Sequence, residues 1–370
     1  MVESKVTFDG GGAFWNELKA KVNSYLAQPG VEKSGLRRLH RKAAIIVVWA
    51  VGSYLALLLF AHNWWQVVVF GASLVLALNA AAFSIMHDGN HGAFSKSKRI
   101  NRMAGFVLEI LGGSSFTWKV KHNLAHHTYP NVDGLDEDID LPPLARVAST
   151  QKWQRWHTAQ HIYLWFLYGL VTLRWQLSGD LGHLFRGRIS HYELKGFNAS
   201  EIAAFAGGKM LFFGWAVALP LALHWSWHGA LMVLIVYLGL SWVFSFVMTS
   251  TFQLAHCVDE AMFTSPEDAD GRGKLPNTWA VHQVLTTSDF CPENRPITWF
   301  LGGLNYQVEH HLFPRVTHVH YPVVARMVRE ACQRHNVMYL CQPTLRTALK
   351  SHYRHLKDMG RRPSAVAQSV

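Results

Sequence analysis

Three groups of histidines could do chemistry in this chain. HDGNH carries His87 and His91, HNLAHH carries His122, His126 and His127, and QVEHH carries Gln307, His310 and His311. His256, in FQLAH, is a further candidate. Neutral imidazole is the commonest protein ligand for transition metals. His87, His91, His122, His126, His127, His256, His310 and His311 together exceed the four ligands of a structural zinc, so two metal ions are the simplest account. Ligand type leaves the metal open, because imidazole suits iron, copper, nickel and zinc. Soluble di-iron bundles use glutamates and an ExxH repeat; this sequence has no ExxH, which excludes that scheme.

The spacing fits shared duty. His87 and His91, like His122 and His126, are i, i+4 pairs that can share a helical face. At about 100° per residue, the adjacent pairs His126/His127 and His310/His311 point apart, as two ions would require. Gln307 lies one turn before His311. Asp88, Asn131 and Glu309 are placed to hold histidine tautomers from outside the ligand set. The remaining histidines, among them His62, His224, His228, His352 and His355, show no such clustering and are expected at the surface or at helix ends.

The elements that must position these groups are membrane helices. Half the residues are hydrophobic and 16% are charged, against about a quarter charged in soluble domains. Residues 43–87 and 210–258 contain no Asp, Glu, Lys or Arg. Each stretch accommodates two spans of about 20 residues, giving spans at 43–61, 66–86, 206–223 and 230–251. Lys33, Arg37, Arg38, Arg41 and Lys42 precede the first span, and Lys96, Lys98, Arg99 and Arg102 follow the second. By the positive-inside rule both termini are cytoplasmic, in a bacterial inner membrane or the endoplasmic reticulum. The net charge of +11 then faces an anionic leaflet, and no basic and aromatic interleaving suggests nucleic acid. With an even number of crossings, all the histidine groups lie on one face. An odd number would strand His256 about 30 Å from the others.

The expected fold is an all-α integral membrane protein with two transmembrane hairpins and a helical cytoplasmic cap. Its parts are a cytoplasmic N-terminal segment (1–42), a first hairpin (43–87), a cytoplasmic region with two histidine groups (88–202), a second hairpin (203–252), and a cap with the third group and a disordered tail from Gly360 (253–370). Phe14, Leu18, Val22 and Tyr25 predict a helix, either interfacial or packed on the soluble part. Met103–Trp118, broken by Glu109, and Ile162–Leu173 are too short to span and read as interfacial or re-entrant. Val132–Asp140 is an acidic loop. Val324, Met327, Val328, Ala331 and Cys332 predict a helix after Pro322. Cys257, Cys291, Cys332 and Cys341 form no CxxC pair and are expected as reduced thiols, Cys257 in a packing role. No cleavable signal peptide is visible, so the first span is the expected targeting signal.

HDGNH, HNLAHHTYPN and GGLNYQVEHHLFP resemble the three histidine boxes of the integral-membrane fatty acid desaturase and hydroxylase superfamily, over about Ala43 to Tyr339. Gln307 stands where the commoner third box has histidine, which resembles the front-end branch and related bacterial and sphingolipid enzymes. The resemblance implies a di-iron centre held by the eight histidines named above, with Gln307 binding through its amide oxygen or acting from outside the ligand set. It implies an oxygen-dependent desaturase that inserts a cis double bond into a CoA- or lipid-linked acyl chain, using two external electrons. Hydroxylation is the alternative within the superfamily; a metal transporter and a membrane haem protein are remoter ones. Front-end members often carry a fused haem domain marked by HPGG. That motif is not in this sequence, so electrons are expected from a separate ferredoxin or b-type cytochrome with an NAD(P)H-dependent reductase. Arg315, Arg326, Arg329 and Arg334 are candidates for steering an acidic carrier. Trp118 resembles a family position near the substrate entrance, or serves as an interfacial anchor. Lys119 and Lys121 are candidates for a phosphate-bearing headgroup or coenzyme A, and an apolar tunnel in the cap is expected to receive the chain.

Overall fold

The computed structural model describes residues 6–141, 143–193 and 199–363. It is mostly helical. α1 (Gly12–Ala27) precedes two long helices, α2 (Val31–Phe60) and α3 (Trp64–His91), which are joined by three residues and pack along each other. After a series of short helices come α4 (Ala199–Leu223) and α5 (Trp227–His256), then α6 (Gln307–Leu312), α7 (Tyr321–Arg334) and α8 (Leu345–Met359). Strand content among the described residues is confined to three two-stranded pairings, none closing into a barrel.

Among the described residues, α2, α3, α4 and α5 are the helices long and apolar enough to cross a membrane. Their bounds exceed those expected from hydropathy, because helical hydrogen bonding does not stop where apolar sequence stops. α2 starts twelve residues earlier than the expected span, so the basic run from Lys33 to Lys42 forms its first turns. Lys42 is itself buried and does not face a leaflet. α3 is the central helix, with 61% of its apolar window buried against 22%, 11% and 17% for α2, α4 and α5. The outer helices instead expose aliphatic side chains such as Val48, Leu219 and Ile235. Trp64, Trp65, Trp225 and Trp227 are exposed at the two turns farthest in sequence from the histidine-bearing ends.

Local chemistry explains the helix starts. Asn63 and Gln66 form a reciprocal capping box at α3, and the Ser226 hydroxyl accepts the Gly229 N–H at 2.9 Å to start α5. Pro322 occupies the first turn of α7, where its missing N–H costs nothing. The apolar face of α1 packs into the protein: Phe14, Leu18 and Val22 join Val284, Val308, Leu312, Val324 and Val328 in one buried cluster.

The short apolar segments do not form single helices. Met103–Trp118 is divided among Lys98–Gly105, Val107–Ile110 and Ser115–Trp118. Buried Glu109 causes part of the break, accepting both the N–H and the hydroxyl of Ser115 at 2.8 Å. Ile162–Leu173 falls across Gln160–Tyr168 and Val171–Arg174. The tail expected to lack regular structure lies outside the described residues from position 364 onward.

Candidate metal centre

Two π-helical turns deliver the first two histidine groups. Ala82–Met86 is a π-helical stretch inside α3, directly before His87–His91, and Lys119–His126 is a second one. In the latter, the His127 N–H donates to the His122 carbonyl at 2.9 Å, an i to i+5 bond. The wider turn changes the expected pairing. His122 Nε2 faces His127 Nε2 at 3.3 Å, whereas His122 and His126 turn their Nδ1 atoms toward Asp138, at 3.9 and 3.8 Å.

Close backbone approach brings the boxes together. A Cβ on Gly89 would sit 2.5 Å from the Gly105 nitrogen, so only glycine lets Lys98–Gly105 cross the first box. Gly302, at φ 58°, would place a Cβ 2.3 Å from the Phe83 carbonyl oxygen. The turn leading to the third box is thereby seated on the π-helical stretch before the first.

The eight histidines converge. His87, His91, His122 and His310 form one buried quartet and His126, His256 and His311 a buried trio, with the ligand nitrogens of each group within 4.8 Å of one another. His127 lies between them and groups with His310 and His311. As adjacent residues should, His310 joins the quartet and His311 the trio, their rings at 87° to each other.

The hydrogen bonds test whether metal fits. His126 Nδ1–H donates to Asp136 Oδ2 at 3.0 Å, and His311 Nδ1–H donates to Gln283 Oε1 at 2.9 Å. Both Nε2 atoms are then lone pairs, and they face each other at 3.2 Å. Two lone pairs so placed repel unless a cation, either a proton on His126 or a metal ion, lies between them. Ligands on bonds of about 2.1 Å at 90–109° would stand about 3.0–3.4 Å apart, so the spacing suits a shared ion. Burial also favours the neutral, ligating form of the rings. It pulls His127, His310 and His311 far below their ordinary pKa, helped by neighbouring imidazoles, and lowers His122 to about 4. His126 is the exception, since Asp136 and Asp138 outweigh burial and raise its pKa.

A profile of the fatty acid desaturase family matches residues 63–343. The chain belongs to the fatty acid desaturase family. It is 34% identical over 367 residues to the sn-1 linoleoyl-lipid 6-desaturase of Arthrospira platensis, covering 98% of this chain and 97% of that one. A Synechocystis protein of the same description is 33% identical, with 98% and 99% covered. The acyl-lipid (8-3)-desaturase of Physcomitrium patens is 35% identical, with 94% and 72% covered.

The outer groups of this desaturase differ from those expected. Asp88 bonds to His318 and Thr317, at 2.9 and 3.3 Å, not to a boxed imidazole. Asn131 donates its side-chain amide to the carbonyls of His256, Met262 and Thr286, and its backbone N–H to Asp136 Oδ2 at 3.0 Å, so it reaches His126 only through Asp136. Glu309 is buried beside Asp289; burial, then that carboxylate, raise its pKa well above the usual range. It accepts from the Tyr339 hydroxyl at 3.1 Å. The groups that do bond ligand rings are Asp136, Gln283 and Tyr321, whose hydroxyl is 3.3 Å from His310 Nδ1. Asp136 sits in the acidic run after the second box, a signal that was available; Gln283 belongs to no motif. The Gln307 amide nitrogen lies 2.9 Å from His256 Nε2, at the edge of the trio.

Trp118 stacks on His122 with centroids 4.3 Å apart. Lys121 is paired with Asp138 at 2.7 Å, which commits its ammonium internally and not to a headgroup. Burial opposes ionisation of Asp138, yet Lys121 and the adjacent imidazoles hold its pKa well below the usual range. Lys119 is half-buried, its pKa lowered by burial against the opposing pull of Glu109. Of the four arginines, Arg334 pairs with Glu17 and Arg329 lies over the Tyr339 ring, while Arg315 and Arg326 are exposed. All four cysteines are free, and Cys257 is fully buried among apolar neighbours. His352 and His355 are not at the surface; both are buried and bond to the carbonyls of Cys257 and Val147, at 2.6 and 2.8 Å.

An apolar cavity of about 420 Å³ lies among α2, α3, α4 and α5, not in the cap. Its wall includes Val75, Leu111 and Phe244, which belong to the cluster that Trp118 packs against.

Proposed function

We propose that this desaturase is a multi-pass membrane enzyme that inserts a cis double bond into a lipid-linked acyl chain, on the carboxyl side of any existing double bond. Two iron ions would be held by His87, His91, His122 and His310 and by His126, His256 and His311, with His127 between them and Gln307 beside the second. The observation that carries this reading is the convergence of eight buried histidines into adjoining groups, with His126 Nε2 and His311 Nε2 3.2 Å apart where they meet. Iron supplies the capacity to activate dioxygen for attack on an unactivated C–H bond, for which side-chain acid–base chemistry is inadequate. In balance, one dioxygen takes two hydrogens from adjacent methylenes, two electrons and two protons, and leaves as two waters.

The protein supplies position and dryness. The imidazoles are buried, and Trp118 stacks on His122 and packs against the cluster that walls part of the apolar cavity, which has the character needed for a hydrocarbon chain. The exposed tryptophans at both far turns suit one membrane interface, and the basic turns beginning α2 suit the cytoplasmic side. Lys119 is the remaining candidate for a substrate headgroup. Exposed Arg315 and Arg326 are candidates for meeting an acidic ferredoxin or b-type cytochrome. The carboxyl-side position and the lipid linkage rest on the descriptions of the relatives and on Gln307 in the third box.

Expression in a host of known lipid composition, followed by mass spectrometry of its lipids, tests the proposal. A new cis double bond near the carboxyl end of lipid-linked chains is the expected product. A hydroxylated chain, or no change with a competent electron carrier present, would contradict it.

A further inference from the structure

α2 supplies none of the eight clustered histidines, yet it carries a buried lysine. Lys42 is 6% exposed, and its ammonium donates to His318 Nε2 at 3.0 Å. His318 Nδ1 faces the Asp88 carboxylate, which accepts, so the ring proton lies on Nδ1 and Nε2 is the acceptor for Lys42. That Nδ1–H donates to Asp88 Oδ2 at 2.9 Å, and the Thr317 hydroxyl reaches the same oxygen at 3.3 Å. Asp88 is 2% exposed and His318 3%. Lys42 also lies 5.2 Å from the centre of the Trp299 ring.

The turn at the middle of this chain touches the first box through Asp88 and the quartet through His310. His318 holds Asp88, the residue between His87 and the rest of the first box, and three residues later Tyr321 bonds His310 Nδ1 at 3.3 Å. The same turn is pressed against both α2 and α1: a Cβ on Gly35 of α2 would lie 2.1 Å from His320 Nε2, and the hydroxyl of Tyr25 in α1 is 3.0 Å from His320 Nδ1. Burying an ammonium, an imidazole and a carboxylate together is costly unless their geometry does something an apolar core would not. The trio has no such link, since its outer bonds run to Asp136 and Gln283.

We infer that Lys42 and His318 are positioning residues for the quartet, through which α2 fixes the first and third boxes relative to each other. Lys42 holds His318 by its Nε2, His318 pins Asp88, and the turn carries Tyr321 to His310. The inference rests on the metal centre proposed above.

The test is iron bound per chain by the full-length protein in detergent micelles, titrated with a ferrous chelator and followed by the ferrous ligand-field spectrum. Wild-type protein comes first: failure to bind two irons would overturn the metal centre itself. Given two irons, Lys42→Met and His318→Phe should each weaken one of them, by less than the roughly 10–100-fold that follows loss of a direct partner of a ligand, because they act through Asp88 and the turn that carries Tyr321. The other should keep its affinity and spectrum. His318→Asn, whose amide can still donate to Asp88, should recover most of the loss. Unchanged affinity for both irons in Lys42→Met and His318→Phe would overturn the inference. So would equal weakening of both irons, which a general loss of packing produces. Should His318→Phe fail to fold, Lys42→Met against wild type decides alone by the same criteria.

Discussion

The quartet and the trio are built differently from the same side chain. The quartet takes two rings from one helix end, His87 and His91, so helical periodicity does most of the placing. The trio gathers His126, His256 and His311 from three separate elements, and each needs anchoring of its own. Asp136 and Gln283 supply it for two of them, and Gln307 stands beside the third. Around the quartet the buried polar bonds hold the backbone of the first box and His310, through Asp88 and Tyr321; around the trio they fall on the rings themselves.

Removing a ligand from either side should be the severest break in this comparison. His126→Ala and His310→Ala should each abolish product formation while the protein stays membrane-inserted, as checked by lipid mass spectrometry and membrane fractionation. Asp136→Asn should separate the two sites. It removes the anionic acceptor from His126 and should weaken iron at the trio about 10–100-fold, leaving the quartet loaded, by chelator titration. Gln307→His sharpens the comparison from the other direction. An added imidazole beside His256 should preserve iron at both sites and tighten the trio, even where turnover changes; loss of iron would show that the amide is needed as it stands.

The sequence made the quartet more legible than the trio. Hydropathy and parity placed the histidine-bearing ends of α3 and α5 on one side because both signals depend on composition over whole helices. The i, i+4 spacing does bring His87 to His91, and His122 and His126 to a shared Asp138, but the π-helical turn that also sets His122 Nε2 against His127 leaves no mark in residue types. Asp88 and Glu309 looked like ligand partners because they are neighbours in sequence. In the fold, a residue beside a ligand on a helix points away from it, and the partners come from other elements: Asp136 from the acidic loop, Gln283 from the helix Trp279–Leu285 and Tyr321 from the start of α7.

The smallest expected effect concerns histidines outside both sites. Burial lowers His352 and His355 to about 4, below the ordinary value of about 6.5. Between those limits the unfolded chain binds protons that the folded chain does not, so stability is present above pH 6.5 and falls as pH drops toward 4. Each contributes on the order of 1–3 kcal/mol across that window. His355→Gln should therefore make the thermal midpoint less dependent on pH between 6.5 and 4, by differential scanning fluorimetry in detergent.

The central claim is that two differently anchored groups of histidines hold two iron ions in one chain. Elemental analysis of catalytically active, purified protein, combined with Mössbauer spectroscopy of the iron-57 form, tests it most directly. The account predicts two irons per chain giving two distinguishable signals, of which Asp136→Asn alters one. Zinc without iron, or a single iron per chain at full activity, would contradict it.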